Sequence, residues 1–311
     1  MIRAIIYGIV FLFSFQFVSA QSLPEVKLDE AWKEKIRDLA PEKPTFPISK
    51  KKKVLVFSLH TGFNHWVRPH TEELIKILGE KSGAFEVIGS RDIDYMELKN
   101  LKKFDVLVLN NTNSKPDKRN LFWDELKNQS YGDSAVIMQK ALELEENIRK
   151  YVSDGGGLLV LHGGNTILNN SMDFSRLLGG SFDYHPPQQA FQVRLENPNH
   201  PLVQAFSPEG FNHVDEPYFY KNAYEEGDFT PLLYFNNSEI TGQRKGQEKS
   251  YGKTYVAWIR PEGKGKVMYA SPSHNAQSFD NPQLLQFFLD GMQYVAGDVE
   301  CDETPIGKMK P

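Results

Sequence analysis

Three histidines of this sequence each follow a predicted buried strand at the point where the strand ends. His162 follows a glycine turn and apolar run at 155–161, His65 follows the apolar run Val54–Leu59, and His274 follows a predicted hairpin. Because the carboxyl ends of neighbouring parallel strands lie at one edge of a sheet, where ligands of open α/β sheets bind, we expect the three imidazoles to share a site. Imidazoles exchange protons near neutral pH without large pKa shifts, so the set suits proton abstraction next to a carbonyl group.

The positions of these histidines depend on a sheet whose strands alternate with helices along the chain. Short apolar runs predict strands, and apolar residues three or four apart predict the helices between them. The predicted strands are Val54–Leu59, Phe85–Ile88, Phe104–Leu109 and 157–161, and the predicted helices are Glu30–Leu39, about Pro69–Lys81, near Tyr95–Leu98, Ser134–Ser153 and Asn281–Val295. This alternation predicts an α/β fold with a doubly wound, mostly parallel sheet and helices on both faces.

The pattern changes in the second half of the chain, where short predicted strands are separated by polar turns. Gln189–Leu195 and Pro231–Phe235 are two such strands. Tyr255–Ile259 and Lys266–Ala270 flank a turn that is rich in proline and glycine, which predicts a β-hairpin near the C-terminus.

Composition argues against nucleic acid as a partner. The 311 residues are 40% apolar and 24% charged, which allows a sizeable core, and the formal charge of −4 leaves no basic excess for DNA or RNA. The single cysteine, Cys301, cannot form an internal disulfide, and the carboxylates beside it oppose thiolate formation.

The N-terminus has the pattern of a secretory signal peptide. Arg3 precedes the apolar run Ala4–Val18, and Val18-Ser19-Ala20 matches a small-residue cleavage site. The run is short for a membrane span, which needs about 20 residues. We predict cleavage after Ala20, a secreted or periplasmic mature protein, and no membrane contact after cleavage. The predicted organisation is a signal peptide at 1–20, an extended lead-in at 21–53, an α/β domain at 54–297 and a loosely packed C-terminal tail at 298–311.

The order of elements resembles the class I glutamine amidotransferase fold, in which a cysteine nucleophile stands at the central turn and a histidine follows a late strand. Here the central turn carries His162 and the late position carries His274, while Asn275 and Ala276 stand where an acidic residue is expected. Without a thiol at the turn, glutamine hydrolysis through a thioester is excluded. The resemblance therefore implies the fold and not that reaction.

Within that superfamily, the chain from about Val54 to Ala296 resembles the ThuA-like (trehalose utilization) family. The resemblance rests on the order and spacing of short motifs at Thr61–His65, Gly155–Gly157, His162–Gly164, Asn199–Leu202, Asp215–Tyr218, Gly263–Val267 and His274. It implies a flavodoxin-like α/β fold and a role in carbohydrate metabolism, linked to disaccharides and their keto-sugar derivatives.

The Asp215–Tyr218 motif adds Glu216 to the three histidines as a catalytic candidate. His162, His65, His274 and Glu216 suit isomerisation, hydration or elimination on a disaccharide or keto-glycoside. Zn²⁺ prefers the same nitrogen and oxygen donors, so His65, His162 and Glu216 are candidate metal ligands. No His-Glu-x-x-His spacing is present, and whether a divalent metal such as zinc is bound stays open.

Substrate binding is assigned to polar and aromatic residues near these positions. The candidates are Trp66, Asn165, Tyr184, His185, Asp215 and Tyr218. For the aromatic residues, together with Phe182 and Tyr220, a sugar-stacking platform and ordinary core packing are the two alternatives. Gly163–Thr166 lacks a Walker lysine or a Gly-x-Gly-x-x-Gly spacing, so no nucleotide is expected.

Two functions from different classes remain open on the sequence alone. The leading hypothesis is an exported enzyme that acts on a saccharide or keto-sugar by acid–base chemistry, with or without a metal. The alternative is a non-catalytic carbohydrate-binding protein that retains the fold without the nucleophile. The second predicts saccharide affinity carried by aromatic residues and no turnover. Whether the protein forms a homodimer also stays open.

Overall fold

A nine-stranded mixed sheet crosses the protein in the computed structural model, which describes residues 23–309. The strands of that region are β1 Lys52–Phe57, β2 Phe85–Ser90, β3 Val106–Asn110, β4 Gly157–Leu161, β5 Ser181–Tyr184, β6 Gln189–Leu195, β7 Phe211–Asp215, β8 Phe219–Lys221, β9 Thr230–Asn236, β10 Lys253–Glu262 and β11 Gly265–Ala270. Its α-helices are α1 Glu30–Leu39, α2 Arg68–Ser82, α3 Leu98–Leu101, α4 Leu121–Asn128, α5 Ser134–Ser153, α6 Met172–Leu178 and α7 Pro282–Val295. Strands β5 and β8 pair with each other outside the large sheet.

One half of the sheet is parallel and has the flavodoxin-like strand order. Its strands follow the order β2-β1-β3-β4-β11, and every neighbouring pair among them is parallel. The strand order reverses between β1 and β3, which is where ligands bind in such sheets. The predicted doubly wound α/β fold is confirmed.

The predicted C-terminal hairpin joins this parallel half to an antiparallel one. Strand β11 pairs with β4 on one side and with β10 on the other, and the sheet continues through β9 and β6 to β7. The hairpin is therefore central to the sheet, so residues from both halves can reach one edge.

Helices cover both faces of the sheet, as the alternation predicts. On one face, Leu74 and Leu78 of α2 pack in a core with Phe288 of α7. On the other face, Leu144 and Ile148 of α5 pack in a second core. Because β4 is buried on both sides, its apolar run Gly157–Leu161 carries no polar side chain.

At the N-terminal end of the described region the structure agrees with the prediction, whereas the C-terminal tail is bonded to the domain more closely than predicted. Helix α1 forms where predicted, with Trp32 and Ile36 buried in the core of the domain. The tail was predicted to pack loosely, but the backbone N–H of Ile306 donates to Phe229 O at 3.1 Å and that of Gly307 donates to Gly227 O at 3.1 Å. These bonds fasten the tail to the turn before β9.

The predicted signal peptide at 1–20 lies outside the described residues. Among residues 23–309, none of the helices combines the length and apolar character that crossing a membrane requires.

Candidate functional site

The turn after β4 places His162 at the carboxyl end of the sheet in an uncommon backbone conformation. His162 has φ +44°, a left-handed value that few residues other than glycine adopt. Gly163 and Gly164 allow the turn to approach its neighbours closely. A Cβ on Gly163 would lie 2.8 Å from His65 Cε1, and one on Gly164 would lie 2.5 Å from Leu109 O. The glycines therefore permit the contact between His65 and the β4 turn.

The His162 ring is fully buried, and its contacts fix its orientation. Nδ1 lies 3.0 Å from the backbone oxygen of Ser271, which can only accept, so Nδ1 is the protonated nitrogen of the neutral ring. The Tyr218 ring packs against the imidazole at 4.1 Å between centroids. Nε2 consequently presents its lone pair to Glu216 and His274.

Three potential ligand atoms form a nearly equilateral triangle at this point. His162 Nε2 lies 3.1 Å from His274 Nδ1, and Glu216 Oε2 lies 3.3 Å from each of these nitrogens. Zinc bonds of about 2.0–2.1 Å in a tetrahedral arrangement separate neighbouring ligands by about 3.3–3.4 Å. The triangle therefore has the size of one face of a tetrahedral metal site.

His65 completes the cluster on the other side. One ligand atom from each of His65, His162, Glu216 and His274 lies within 4.8 Å of the others. The His65 ring meets the rings of His162 and His274 edge to face, at 5.3 Å between centroids in both cases. Asn113 Nδ2 donates to His65 Nδ1 at 3.3 Å, so the neutral ring carries its proton on Nε2.

Asp215 supports the triangle from behind. This fully buried carboxylate lies 2.8 Å from His213 Nε2 and accepts the backbone N–H of Glu216 at 2.8 Å. It also accepts the backbone N–H of His274 at 3.4 Å. A single side chain thus positions the backbones of two members of the triangle.

The pKa shifts favour neutral rings at His65 and His274 beside an ionised Glu216 carboxylate. Burial and the neighbouring charge of His162 hold the pKa of His65 well below its ordinary value, and the same causes lower the pKa of His274. Burial acts to raise the pKa of Glu216. A protonated His162 Nε2 would hydrogen-bond to this carboxylate, and that bond, together with the charges of protonated histidines, outweighs burial, so the net shift is downward. Neutral imidazole and ionised carboxylate are the states that bind a divalent metal. The triangle suits either such an ion or a proton that its three members share.

A cavity of about 300 Å³ opens onto the cluster, at the low end of the range for small-molecule pockets. Its lining residues are Phe63, His65, Asn113, Ser114, Pro116, Arg119, Thr166, Phe182, His185, Glu216 and Tyr218. The rings of Phe182 and Tyr218 lie 4.5 Å apart and form an aromatic wall. His185 Nδ1 lies 2.9 Å from Pro186 O, and Nε2 lies 3.6 Å from Glu216 Oε1.

The predicted catalytic residues come together, whereas the predicted substrate-binding residues separate into two groups. His185 and Tyr218 line the cavity. Four others do not, which departs from their predicted role. Trp66 packs against His70, Tyr184 is buried against Phe219, and Asn165 and Asp215 are buried behind the cavity wall.

Several cavity residues were not predicted as site residues, among them Phe63, Asn113 and Arg119. Phe63 belongs to the Thr61–His65 motif and precedes the predicted catalytic residue His65 by two positions. That position was the signal in the sequence by which Phe63 could have been found. Asn113 and Arg119 follow β3, whose carboxyl end borders the switch point of the sheet. The strand-end argument that selected His65 therefore also applied to the loop after β3.

The sequence profile described as "Trehalose utilisation" matches residues 53–295, which cover the whole sheet and the cluster. The chain belongs to the ThuA family. Two solved structures described as ThuA-like proteins resemble this ThuA-family member. The one from Bacteroides uniformis has 17% identity and a TM-score of 0.57, with 82% of this chain and 93% of that chain covered. The one from Parabacteroides merdae has 18% identity and a TM-score of 0.53, with 80% and 91% covered.

At these identities the two structures support the fold alone. None of the curated proteins matches this ThuA-family chain significantly. The single cysteine lies far along the chain from the β4 turn, and burial, with Glu303 nearby, raises the pKa of the Cys301 thiol to about 11. It has neither the position nor the ionisation of an amidotransferase nucleophile.

Proposed function

We propose that this ThuA-family protein is a metal-assisted enzyme that moves protons next to the carbonyl of a keto-glycoside. The observation that carries the proposal is the triangle of His162 Nε2, His274 Nδ1 and Glu216 Oε2, with separations of 3.1–3.3 Å that match a tetrahedral face. Three protein ligands would leave one position of a bound divalent ion open, as in catalytic zinc sites. A bound divalent ion would supply Lewis-acid polarisation of the carbonyl oxygen.

The side chains around the triangle can supply both proton transfers. His185 Nδ1 donates to Pro186 O, so the neutral ring keeps its lone pair on Nε2, which faces the cavity near Glu216 Oε1. We assign His185 as the base that takes the proton from the carbon next to the carbonyl. The nearby Glu216 carboxylate then stabilises the imidazolium that forms. The structure makes His185 a stronger candidate than its predicted substrate-binding role implies.

His65 is the complementary proton donor. Its neutral ring carries the proton on Nε2, and its lowered pKa keeps the ring neutral at pH 7. Donation to the carbonyl oxygen gives an enediol. Transfer of the neighbouring hydroxyl proton back to His65, with return of the proton from His185 to the former carbonyl carbon, moves the carbonyl group and completes an isomerisation. If a glycosidic oxygen is bonded to the carbon beyond the deprotonated one, its C–O bond breaks instead: the electrons of the broken C–H bond form the new C=C bond, the carbonyl re-forms, and the leaving oxygen takes the proton from His185.

The test is metal content followed by turnover. We expect the purified protein to contain about one divalent ion per chain, measured by mass spectrometry. Chelation should lower turnover of a keto-disaccharide by at least about a hundredfold, and metal addition should restore it. Full turnover by metal-free protein would leave the shared-proton form of the triangle as the catalyst and would refute the metal.

The second candidate is a carbohydrate-binding protein without catalysis, favoured by the aromatic wall of Phe182 and Tyr218. It predicts saccharide affinity that is insensitive to replacement of His185 by glutamine. Turnover that is lost in His185→Gln while affinity remains would reject it.

Export is part of the proposal and rests on the sequence pattern of residues 1–20. We expect N-terminal sequencing of the protein recovered from cells to begin at Gln21. A protein that retains Met1 and stays with the cytoplasmic fraction would contradict export without affecting the chemistry proposed above.

A further inference from the structure

The outer rim of the cavity is built from two loops that are fastened together. Asp124 Oδ2 accepts the Thr61 hydroxyl at 2.6 Å and the backbone N–H of Lys115 at 2.9 Å. The backbone N–H of Thr61 donates to Asn113 O at 2.9 Å, and Asn113 Nδ2 donates to Phe63 O at 2.7 Å. These bonds connect the loop after β1 to the loop after β3, so the rim is held in place before any ligand binds.

Phe63 is an exposed aromatic ring on this rim. It is 66% exposed, the largest value among the exposed large apolar residues of the described region. Its ring meets His65 edge to face at 4.8 Å between centroids. The preceding residue must be glycine, because a Cβ on Gly62 would lie 2.4 Å from Ser114 O. The exposure of Phe63 is therefore imposed by a closely packed loop, and its free face adjoins the cavity.

Arg119 supplies the cationic side of the rim. It is the only Lys or Arg side chain that lines the cavity, and within residues 23–309 it has no ion-pair partner. Its backbone is left-handed, with φ +53°, and its N–H donates to Lys115 O at 3.1 Å. Such a conformation is uncommon outside glycine, asparagine and aspartate, and strain of this kind clusters at ligand sites. The nearby Asp124 carboxylate is already engaged by the loop bonds.

We propose that Phe63 and Arg119 form an outer subsite for a sugar ring that carries an anionic group, so that the substrate is an acidic glycoside. This inference rests on the proposed function, because the ring that reacts would lie at the inner end beside His185 and the triangle. Phe63 packs against the ring face and Arg119 pairs with its carboxylate, sulfate or phosphate.

The experiment compares matched charged and neutral sugars by calorimetric titration of the purified protein. The neutral probe is methyl glucoside, and the charged probes are methyl glucuronide, glucose 6-sulfate and glucose 6-phosphate. We expect at least one charged probe to bind about tenfold more tightly than the neutral one. The strongest of the three identifies the anionic group.

Variants of the protein then test which side chain causes the preference for charged over neutral probes. Arg119→Gln should abolish it by lowering the affinity for the charged probes to that for methyl glucoside, and Arg119→Lys should retain part of it. Lys118→Gln is the matched control, because Lys118 adjoins Arg119 in sequence but its Nζ lies over the Trp123 ring, 5.3 Å from the centroid. Phe63→Leu should weaken charged and neutral probes by a similar factor.

Four results would overturn the inference. Equal affinity for charged and neutral probes, or equal losses in Arg119→Gln and Lys118→Gln, would refute the subsite and leave the proposed function intact. Inorganic sulfate that binds as tightly as glucose 6-sulfate would show an anion site without a sugar ring. Failure of every sugar to bind would refute both the subsite and the saccharide class of the proposed function.

Discussion

Replacing His162 by asparagine is expected to prevent binding of the proposed divalent metal and to abolish the proposed turnover. The variant deletes Nε2, one corner of the triangle with His274 Nδ1 and Glu216 Oε2. Changes outside the ligand set of a metal site already cost 10–100-fold in affinity, so we expect a loss of at least about a hundredfold. Asparagine is preferable to alanine here, because it tolerates the left-handed backbone at φ +44°.

The matched control is His200→Asn, which also replaces a buried histidine. His200 caps the turn that begins at Pro201 by accepting the N–H of Leu202, and asparagine can keep that cap. We expect His200→Asn to retain the full metal content and turnover. Circular dichroism would establish that both variants are folded. If the folded His162→Asn protein keeps its full metal content, the ion is bound elsewhere and the assignment of His162, His274 and Glu216 as its ligands is wrong.

The strand-end rule was sufficient to predict the histidine cluster. His162 and His274 follow β4 and β11, which are neighbours in the parallel sheet, and His65 follows β1. The carboxyl ends of the parallel strands must lie at one edge of such a sheet. Three histidines that follow these strands are therefore constrained to lie near one another. The register that brings two nitrogens to 3.1 Å depends on side-chain packing and could not be derived from the pattern.

Glu216 could be selected only through the family motif, because it lies at the end of an antiparallel strand. Strand β7 lies at the edge of the sheet, beside β6. The alternation of strands with helices along the chain does not determine that these two strands pair. The same limitation explains why β5, β7, β8 and the short helix α4 were not predicted. Their segments are only three to eight residues long, and packing against the rest of the domain stabilises them.

Asp215 came from the same family motif as a substrate-binding candidate, and the structure places it behind the cavity wall. Its side chain is 1% exposed, and its oxygens accept hydrogen bonds within the protein. Conversely, Phe63 and Arg119 reach the cavity because two loops approach closely through Gly62. The close approach of these two loops is a tertiary contact that no periodic pattern in the sequence indicates. The outer rim of the cavity could therefore be recognised only in the structure.

In the metal-free protein, the free energy of unfolding is expected to fall as the pH drops below the ordinary histidine range. Burial is the first cause that lowers the pKa of His70, His200, His65 and His274 from the usual value of 6.5. Above pH 6.5 both folded and unfolded chains hold these rings neutral. As the pH falls further, the unfolded chain takes up protons while the folded chain does not, so stability is lost until the folded pKa values are reached.

Two other groups oppose this trend, so the measured slope is a net value. Burial raises the pKa of Asp290 to about 6 and also raises that of Glu145, and both therefore favour the folded state as the pH falls towards the carboxylate range. Each net proton bound preferentially by the unfolded chain lowers the unfolding free energy by about 1.4 kcal/mol per pH unit. Because the lowered histidines outnumber the raised carboxyls, we expect a slope of at least this size between pH 6.5 and 5.5.

Urea unfolding in the presence of a chelator, at pH 8.0, 6.5, 6.0 and 5.5, measures this slope directly. His200→Asn should reduce it, because one lowered pKa is removed. Gln204→Ala is the matched control: Gln204 Nε2 donates to His200 O at 3.4 Å in the same turn but does not titrate. It should shift every unfolding free energy by a similar amount and leave the slope unchanged. An unfolding free energy that is independent of pH from 6.5 to 5.5 would contradict this prediction, because the folded protein would then bind as many protons as the unfolded chain.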